Sequence, residues 1–342
     1  MRTSFQICIL SIVALFVGVA APRVNAQCSA DLNADHSVTA QDLAIILAFW
    51  GPTTTFAAAD INQDQIVNAQ DLAMLLAGWG PCPPADLSWA TVLEQDPNPA
   101  VVTDANFRQR MIATGLPWRV RDNGTGIEML LIPGGTFMMG ASPGDGEAQL
   151  DEIPPHQVTL TAAFYMGKTE VTQAQWQAKM GNNPSYFGGQ SDSPSRPVEL
   201  VSWNTIQNFN SASGLRLPTE AEWEYACRAG TTTVRYGPVD DIAWWWNQPN
   251  STTHPVATKL PNALGLYDTI GNVWEWCQDW YGSYTSANVT NPTGPASGPG
   301  RVLRGGGWYY FANNCRASMR GGWAPDSSTV TLGSGFRAAR NP

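Results

Sequence analysis

The chain has 342 residues, with 19 Lys and Arg against 28 Asp and Glu, so its formal net charge is −9. This acidity argues against nucleic-acid or anionic-membrane partners, because both need Lys and Arg to neutralise phosphates. The 32 Gly, 25 Pro and 15 Trp predict a loop-rich globular body with an aromatic core, and they exclude long helices and coiled coils.

Residues 1–26 have the layout of a secretory signal peptide. An apolar stretch of about fifteen residues begins at Ile7 and is followed by small side chains up to Ala26. The alternative, a membrane anchor, needs about twenty apolar residues, and Pro22 and Arg23 end the run early. No later stretch is apolar enough to span a bilayer. We therefore expect an exported protein that is secreted, periplasmic or on the cell surface.

Two similar segments follow: DLNADHSVTAQDLAIILAFWG at 31–51 recurs as DINQDQIVNAQDLAMLLAGWG at 60–80. Each copy places oxygen-bearing side chains at alternate loop positions, where they can converge on Ca²⁺, which takes about six to eight hard oxygen ligands. The predicted calcium ligands, including the carbonyls of Ser37 and Ile66, are Asp31, Asn33, Asp35, Ser37, Thr39 and Asp42, then Asp60, Asn62, Asp64, Ile66, Asn68 and Asp71. Position 6 of each loop favours Gly because the turn needs a positive φ, and here it is His36 or Gln65, which predicts weakened calcium affinity.

An amphipathic helix is predicted after each loop. Apolar residues recur at i, i+3, i+4 and i+7, and Gly51-Pro52 and Gly80-Pro81 end the two helices. One such helix cannot bury its apolar stripe alone, so the two helices should pack on each other. The stripes are Leu43, Ile46, Leu47 and Trp50 in the first copy, and Leu72, Leu75, Leu76 and Trp79 in the second.

This pattern over 27–82 resembles type I dockerin modules, which are small all-α units with two EF-hand-type loops. The resemblance implies a cohesin-like or cell-surface scaffold partner, contacted through Ala40-Gln41 and Ala69-Gln70 at loop positions 10 and 11. The alternative is a calcium-rigidified stalk with no partner.

Five cysteines remain after cleavage, and in an oxidising compartment most should form disulfides. Cys28 and Cys82 flank the repeats, so a bond between them would tie the ends of the module together. Two of the other three, Cys227, Cys277 and Cys315, are expected to pair, which leaves one thiol free or paired with another chain.

Residues 83–118 contain several Pro and few periodic patterns, and we interpret them as a linker and lead-in. The large domain is predicted over 119–342. Its first segment alternates around Asn123-Gly124 and Gly134-Gly135, which predicts a β-hairpin. Capping boxes at Thr219-x-x-Glu222 and at Thr172-x-x-Gln175 predict the starts of two helices.

The large domain resembles the formylglycine-generating enzyme family, also called the sulfatase-modifying-factor domain. The resemblance is carried by MLLIPGGTFMMG, FYMGKTEVTQAQW, RPVELVSWN, GLRLPTEAEWEYACRAG, GLYDTIGNVWEWCQDW, RVLRGGGW, CRASMR and PDSSTVTLGSGFRAA. It implies an irregular, loop-rich α+β fold related to C-type lectins.

Formylglycine-generating enzymes bind copper(I) through two cysteines in a segment of the form R-x-x-R-G-G-S-[YW]-x-C-x4-C, and thiolates suit this soft ion. Counting forward from Arg304, the serine falls on Gly307, the first cysteine on Tyr310 and the second on Cys315. Counting back from Pro325, Cys315 is three residues out of register. Either count leaves at most one thiolate, so copper is not expected. The remaining candidates for a catalytic role are Cys315 and Trp274. The structural alternatives are a disulfide with Cys277 or Cys227 for Cys315 and a place in the core for Trp274.

The resemblance also implies a structural calcium site in the large domain. Its ligands would be the side chain of Asp268, the carbonyls of Gly271 and Val273, and the carboxylate of Glu275. The alternative is that Glu275 pairs with an Arg.

Two functions remain open. The first is binding of a peptide or a glycan in a calcium-braced groove, with Trp244, Trp245 and Trp246 as stacking faces; three successive Trp on a strand cannot all face one core, so at least one should be exposed. The second is an oxidoreductase that acts on a sulfatase cysteine or another thiol through Cys315. A structural surface protein with no small ligand is a third reading.

Overall fold

The structure is a computed structural model that describes residues 30–32, 37–52, 59–62, 64–81, 86–247, 252–326 and 333–342. The predicted signal peptide, Cys28 and Cys82, and the loop residues Asn33, Asp35 and His36 lie outside these ranges. So does the side chain of Ser37. Within the described ranges, no helix is both long and apolar enough to cross a membrane.

The front module consists of two short helices and four two-residue strands. Each helix begins at a capping box: Asp42 accepts a hydrogen bond from the N–H of Thr39, and Asp71 from the N–H of Asn68, both at 2.8 Å. The elements are β1 (Ser37–Val38), α1 (Ala40–Ala48), β2 (Gly51–Pro52), β3 (Ile66–Val67), α2 (Ala69–Ala77) and β4 (Gly80–Pro81).

The two repeats pair with each other through their short strands. Strand β1 of the first loop pairs with β4, while β3 of the second loop pairs with β2. The Gly-Pro pair that ends each helix therefore forms a short strand that pairs with the loop of the other repeat. Ile46 and Leu75 are fully buried between the helices, as the stripes predicted. Trp50 and Trp79, however, are half exposed, so the buried stripe is narrower than expected. The last turn of each helix therefore presents apolar side chains to solvent.

The large domain is an α+β body with much irregular chain between its elements, as the resemblance implied. Its helices are α3 (Ala105–Ala113), α4 (Gln173–Met180), α5 (Trp203–Ser213), α6 (Glu220–Arg228) and α7 (Val239–Ile242). Its strands are β5 (Ala90–Glu94), β6 (Arg119–Asp122), β7 (Glu128–Ile132), β8 (Gly135–Met139), β9 (His156–Leu160), β10 (Phe164–Gly167), β11 (Trp274–Trp280), β12 (Val289–Thr290), β13 (Arg301–Arg304), β14 (Arg320–Trp323), β15 (Ser334–Gly335) and β16 (Ala339–Arg340).

These strands form three sheets. The first has the order β16-β10-β7-β6-β5, the second β14-β13-β11-β15 and the third β12-β9-β8. The antiparallel pairing of β6 with β7 confirms the predicted hairpin around Asn123-Gly124. The capping boxes at Thr219 and Thr172 open α6 and α4, which confirms both predicted helix starts.

The segment expected to be a linker and lead-in contributes to the large domain. Strand β5 pairs with β6, and Phe107 and Met111 of α3 are buried in the main core. Phe107 and Met111 lie one helical turn apart, so they share one face of the helix. This spacing indicates a helix, but the scattered Pro residues of the segment suggested a linker instead. The domain therefore begins near Trp89, and a boundary at residue 118 divides one packed unit.

Arginine–carboxylate pairs connect α6 with the second and third sheets. Glu220 and Glu224 on α6 bind Arg320 and Arg304 of the second sheet, and Arg228 bridges Glu224 to the carbonyl of Gly140 after β8. All five side chains are buried. Burial raises the pKa of Glu220, but Arg320 and Arg304 lower it by more than burial raises it. The pKa of Glu220 therefore lies below its ordinary value. The Glu220 carboxylate is therefore ionised inside the core.

Replacing Arg337 tests one such pair. Arg337 holds Glu275 with two hydrogen bonds, at 2.7 and 3.0 Å, and both side chains are fully buried. Arg337→Met should cost about 3–5 kcal/mol in the free energy of unfolding, because it leaves a buried carboxylate unpaired. The double variant Arg337→Met/Glu275→Gln should recover most of that loss. Urea unfolding followed by tryptophan fluorescence measures both, and a loss under about 1 kcal/mol would contradict the assignment.

Candidate functional site

The loop between β13 and β14 occupies the place where the family's copper cysteines would lie. It starts at Gly305 and Gly306, whose φ angles are +96° and +75°. A Cβ on Gly306 would stand 2.7 Å from the carbonyl oxygen of Asn314 and 3.2 Å from the sulfur of Cys315. The loop therefore closes on itself, with Cys315 packed beneath its first turn.

The three described cysteines are free and fully buried, which corrects the expectation that two of them form a disulfide. Each thiol has its own surroundings: Cys227 points to the carbonyl of Thr269, Cys277 to that of Glu275, and Cys315 lies under Gly306. Burial raises the pKa of Cys227 and of Cys315 to about 12. These thiols are therefore neutral at ordinary pH, and neutral thiols are poor nucleophiles and poor metal ligands.

The two catalytic candidates have core surroundings. Trp274 is 4% exposed and packs edge to face with Tyr310, the residue in the register of the first copper cysteine, at 5.4 Å between ring centroids. Gly307, in the register of the serine, lies where a Cβ would meet the indole of Trp274 at 3.4 Å. Among the residues that the structure describes, no group of three His, Cys, Asp or Glu side chains could hold a metal ion.

The three successive tryptophans separate. Trp244 stacks on His254 with 3.6 Å between ring centroids. The ammonium of Lys259 lies 4.1 Å from the ring centroid of Trp244, so both faces of the indole are covered. Trp245 packs against the main core and donates to Asp240. Trp246 is 39% exposed, as expected for at least one of the three. Trp244 and Trp245 are thus not free stacking faces.

Trp246 belongs to an exposed aromatic group that the sequence analysis did not assemble. Its ring meets Tyr309 at 4.8 Å and Phe311 at 6.2 Å, both edge to face. Trp308 continues the row from Tyr309 at 5.2 Å, and Phe187 and Tyr186 follow at 5.3 and 5.1 Å. We call the four exposed members the aromatic surface: Tyr186, Trp246, Tyr309 and Phe311. In the sequence, the adjacent aromatic residues of GGGWYYF indicate part of this group. The sequence does not indicate that Trp246 and Tyr186, from distant segments, lie beside them.

A buried carboxyl supports one end of this surface. Glu199 is fully buried, accepts a hydrogen bond from the N–H of Phe187 at 3.0 Å through one oxygen, and has no partner for the other oxygen among the described residues. Burial raises the pKa of Glu199 to about 7. The signal in the sequence was an acid inside the apolar run Val198-Glu199-Leu200-Val201. Glu199 therefore fixes the turn that carries Tyr186 and Phe187.

The calcium site predicted in the large domain is only partly consistent with the structure. Asp268 is buried, and its Oδ1 atom has no hydrogen-bond partner in the described chain, which suits a metal ligand. Glu275, however, accepts hydrogen bonds from Arg337 and from the indole N–H of Trp223. Pairing of Glu275 with an Arg was the alternative to a calcium site. Glu170 lies in the same cluster, and burial together with Asp268 and Glu275 raises its pKa. The four predicted ligands do not fit Ca²⁺ as a set, since an arginine already neutralises Glu275.

In the second loop of the front module, hydrogen bonds draw the predicted ligand side chains inward. Asp60 accepts from the N–H of Asp64 at 3.0 Å and from that of Gln65 at 2.6 Å, and Asn62 donates to the carboxylate of Asp64 at 3.0 Å. Asp71 accepts from the N–H of Asn62 at 3.2 Å, so positions 1, 3, 5 and 12 are drawn together. The oxygen donors fit a hard cation.

Gln65 takes the positive φ that the loop requires, at 71°. A side chain in this region costs about 1–2 kcal/mol relative to Gly. In the first loop, Asp42 accepts from the N–H of Leu32 at 2.7 Å, which shows the same inward turn of the position-12 carboxylate.

Comparisons with known proteins agree with this architecture. Residues 115–342 match the model of the sulfatase-modifying factor enzyme 1-like domain, and residues 29–77 match the dockerin type I domain. A formylglycine-generating enzyme of Streptomyces coelicolor is 32% identical over 279 residues, which covers 61% of this chain and 88% of the relative. Its name describes that protein's activity and is not evidence of the same activity here.

Two solved structures are also similar. The Treponema denticola variable protein 1 is 33% identical with a TM-score of 0.57, over 63% of this chain and 95% of that one. PvdO from Pseudomonas aeruginosa is 25% identical with a TM-score of 0.59, over 66% and 98%. One fold thus supports proteins with different names, so function has to be argued from the residues of the site.

Replacing Gln65 tests the calcium loop. Gln65→Gly should stabilise the front module by about 1 kcal/mol and raise its calcium affinity about fivefold, because it removes the strained φ. Ala73→Gly, an exposed position inside α2, is the matched control and should destabilise the module by about 1 kcal/mol. Calcium titration calorimetry and thermal unfolding measure the effects. Equal losses in both variants would contradict the loop assignment.

Replacing Glu199 tests the buried carboxyl. Its pKa in the folded state is about 7 and its ordinary value is 4.5, so the folded state holds more protons between these values and stability should fall as pH rises from 5 to 7. The contribution is about 3 kcal/mol. Glu199→Gln should remove that part of the slope in denaturant unfolding at a series of pH values, whereas the exposed Glu147→Gln should leave it unchanged. An unaltered slope in Glu199→Gln would contradict the burial argument.

Proposed function

This chain belongs to the sulfatase-modifying factor enzyme 1-like family and also carries a dockerin type I domain, and we propose that it is a surface-attached binding protein rather than a copper oxidase. The large domain holds a peptide or glycan ligand, and the front module attaches the protein to a partner. The single observation behind this proposal is the burial of Cys315 with no second sulfur beside it among the described residues.

Copper(I) chemistry of the family's kind needs two thiolates that face one cleft. Cys315 is fully buried, and the groups that affect its thiol are Arg235, the N–H of Gly307 and Arg316. Its pKa is raised to about 12, so deprotonation to a ligand is unfavourable. The register of the other thiolate is filled by the aromatic ring of Tyr310. The remodelled loop therefore supports recognition in place of oxidation.

An oxidoreductase that uses Cys315 as its only reactive sulfur is the second candidate. The observation in its favour is that Cys315 is a free thiol instead of a disulfide. Its full burial and raised pKa oppose this role, since attack requires an accessible thiolate. We therefore rank it below binding.

The front module supports attachment to a cohesin-type partner. Its type I dockerin match and its preformed second loop favour Ca²⁺ in both loops, with the oxygens named above as ligands. The signal-peptide pattern of residues 1–26 agrees with an exported protein that is secreted or bound at the cell surface.

The resemblance implied that a calcium ion stabilises the groove of the large domain, and we propose that an arginine does so instead. In this proposal Arg337 takes the place of the cation: it binds Glu275 and donates to the carbonyls of Gly167 and Tyr267 at 2.8 and 2.7 Å. A guanidinium joins the β11 strand, the end of β10 and the start of the Asp268 turn. Calcium in this proposal is confined to the front module.

A copper assay tests the proposal. The reduced protein should bind no copper(I) through two sulfur ligands and should form no aldehyde from a cysteine-containing sulfatase peptide in the presence of oxygen. X-ray absorption at the copper edge and peptide mass spectrometry are the measurements. Cys227→Ala, at another buried thiol, is the matched control for Cys315→Ala. Copper-dependent oxidation that disappears only in Cys315→Ala would replace binding with catalysis.

A further inference from the structure

The aromatic surface leaves four large aromatic side chains in contact with solvent. Tyr186 is 66% exposed, Trp246 39%, Tyr309 58% and Phe311 63%. Scattered apolar residues on a surface need no explanation, but a contiguous group of large rings marks a binding site. Trp246 touches Tyr309 and Phe311 edge to face, and Tyr186 is linked to them through Phe187 and the buried Trp308.

We propose that the aromatic surface binds sugar rings of a neutral polysaccharide. This inference rests on the binding role proposed above and specifies its ligand class. The C–H face of a pyranose ring carries partial positive charge, and the face of an aromatic ring carries partial negative charge, so the two stack. The hydroxyls of Tyr186 and Tyr309, on exposed side chains, can donate to or accept from sugar hydroxyls.

The size of the surface favours such a ligand over a folded protein. Four aromatic side chains of about 150–250 Å² each, at these exposed fractions, offer roughly 450 Å². A stable protein interface takes about 800 Å² from each partner. The exposed area of the aromatic surface is large enough to contact a few sugar units.

The charge of the surface points the same way. Its four side chains are uncharged, and two charged residues that support its loops are used internally: Arg235 donates to the carbonyls of Ala312 and Cys315 under the loop, and Glu199 is buried. An acidic polysaccharide would find no cation among the four rings. A neutral chain loses nothing by the absence of ion pairs.

An extended peptide is the less favoured occupant. A peptide that binds by strand addition needs a free edge of a sheet. The loop that carries Tyr309 and Phe311 runs as turns, in which the N–H of Tyr310 donates to Gly307 and that of Asn314 to Phe311. These backbone groups hold the loop, so they do not form an edge for a peptide.

The loop geometry also fixes the rings before a ligand arrives. The N–H of Trp246 donates to the carbonyl of Tyr310 at 3.0 Å, which ties two distant segments together. Arg235 holds the same loop from below through two carbonyls. A preformed platform avoids the entropic cost of ordering side chains on binding.

Affinity electrophoresis of the full chain through gels that contain neutral polysaccharides (cellulose derivatives, xylan, mannan or β-glucan) tests the proposal, and calorimetry with the matching hexasaccharides gives the affinity. At least one neutral polysaccharide should retard the protein. The double variant Tyr309→Ala/Phe311→Ala should weaken binding at least tenfold. Leu150→Ala/Leu260→Ala, which removes two exposed apolar side chains outside the aromatic surface, should bind as the unaltered protein does.

Circular dichroism of each variant checks that it is folded. Retardation by no neutral polysaccharide, or only by acidic ones such as polygalacturonate, would overturn the sugar inference. If a peptide array binds instead and Tyr309→Ala/Phe311→Ala abolishes that binding, the sugar inference fails while the binding role stands. Copper-dependent thiol oxidation would instead overturn the binding role itself.

Discussion

Buried pairing between arginines and carboxylates is the constraint on which the large domain depends. Much of its chain is irregular, so hydrogen bonds within sheets and helices cannot fix it alone. Glu220 and Glu224 of α6 bind Arg320 and Arg304, and Arg316 holds Glu152 with two hydrogen bonds at 2.6 and 2.5 Å. Each guanidinium also donates to loop carbonyls, so charge and backbone are satisfied together. The desolvation cost of these ions is large, and their hydrogen-bonded pairing offsets it.

The same network explains how the loop after β13 could change its chemistry without loss of the fold. Arg304 anchors the start of the loop, and Arg316 and Arg320 anchor its end. Between these anchors, Gly307 and Tyr310 occupy the registers of a serine and a metal-binding cysteine. Gly307 is buried and Tyr310 is half-buried, and neither takes part in the ion pairs that hold the sheets.

Local patterns predicted the local structure well. The hairpin at Asn123-Gly124 and the capping boxes at Thr219 and Thr172 each depend on residues within a few positions of one another, and all were confirmed. Of the apolar stripes predicted for the two repeats, Ile46 and Leu75 are fully buried, whereas Leu47, Trp50, Leu76 and Trp79 are exposed. What the sequence could not supply was the choice of distant partner. Any of several acids could have met Arg337, and the free state of Cys315 follows from where three separate segments place their thiols.

The exposed rings illustrate why this limit matters for function. Tyr186, Trp246 and Tyr309 come from three segments far apart in the chain, and each alone is unremarkable as a surface residue. Their joint effect depends on a rigid frame, because flexible aromatic side chains would collapse onto one another and hide their faces from solvent. Hydrogen bonds from Trp246 to Tyr310 and from Arg235 to the loop provide that frame. Together with the buried ion pairs, these hydrogen bonds hold an irregular chain in which Tyr186, Trp246 and Tyr309 stay exposed.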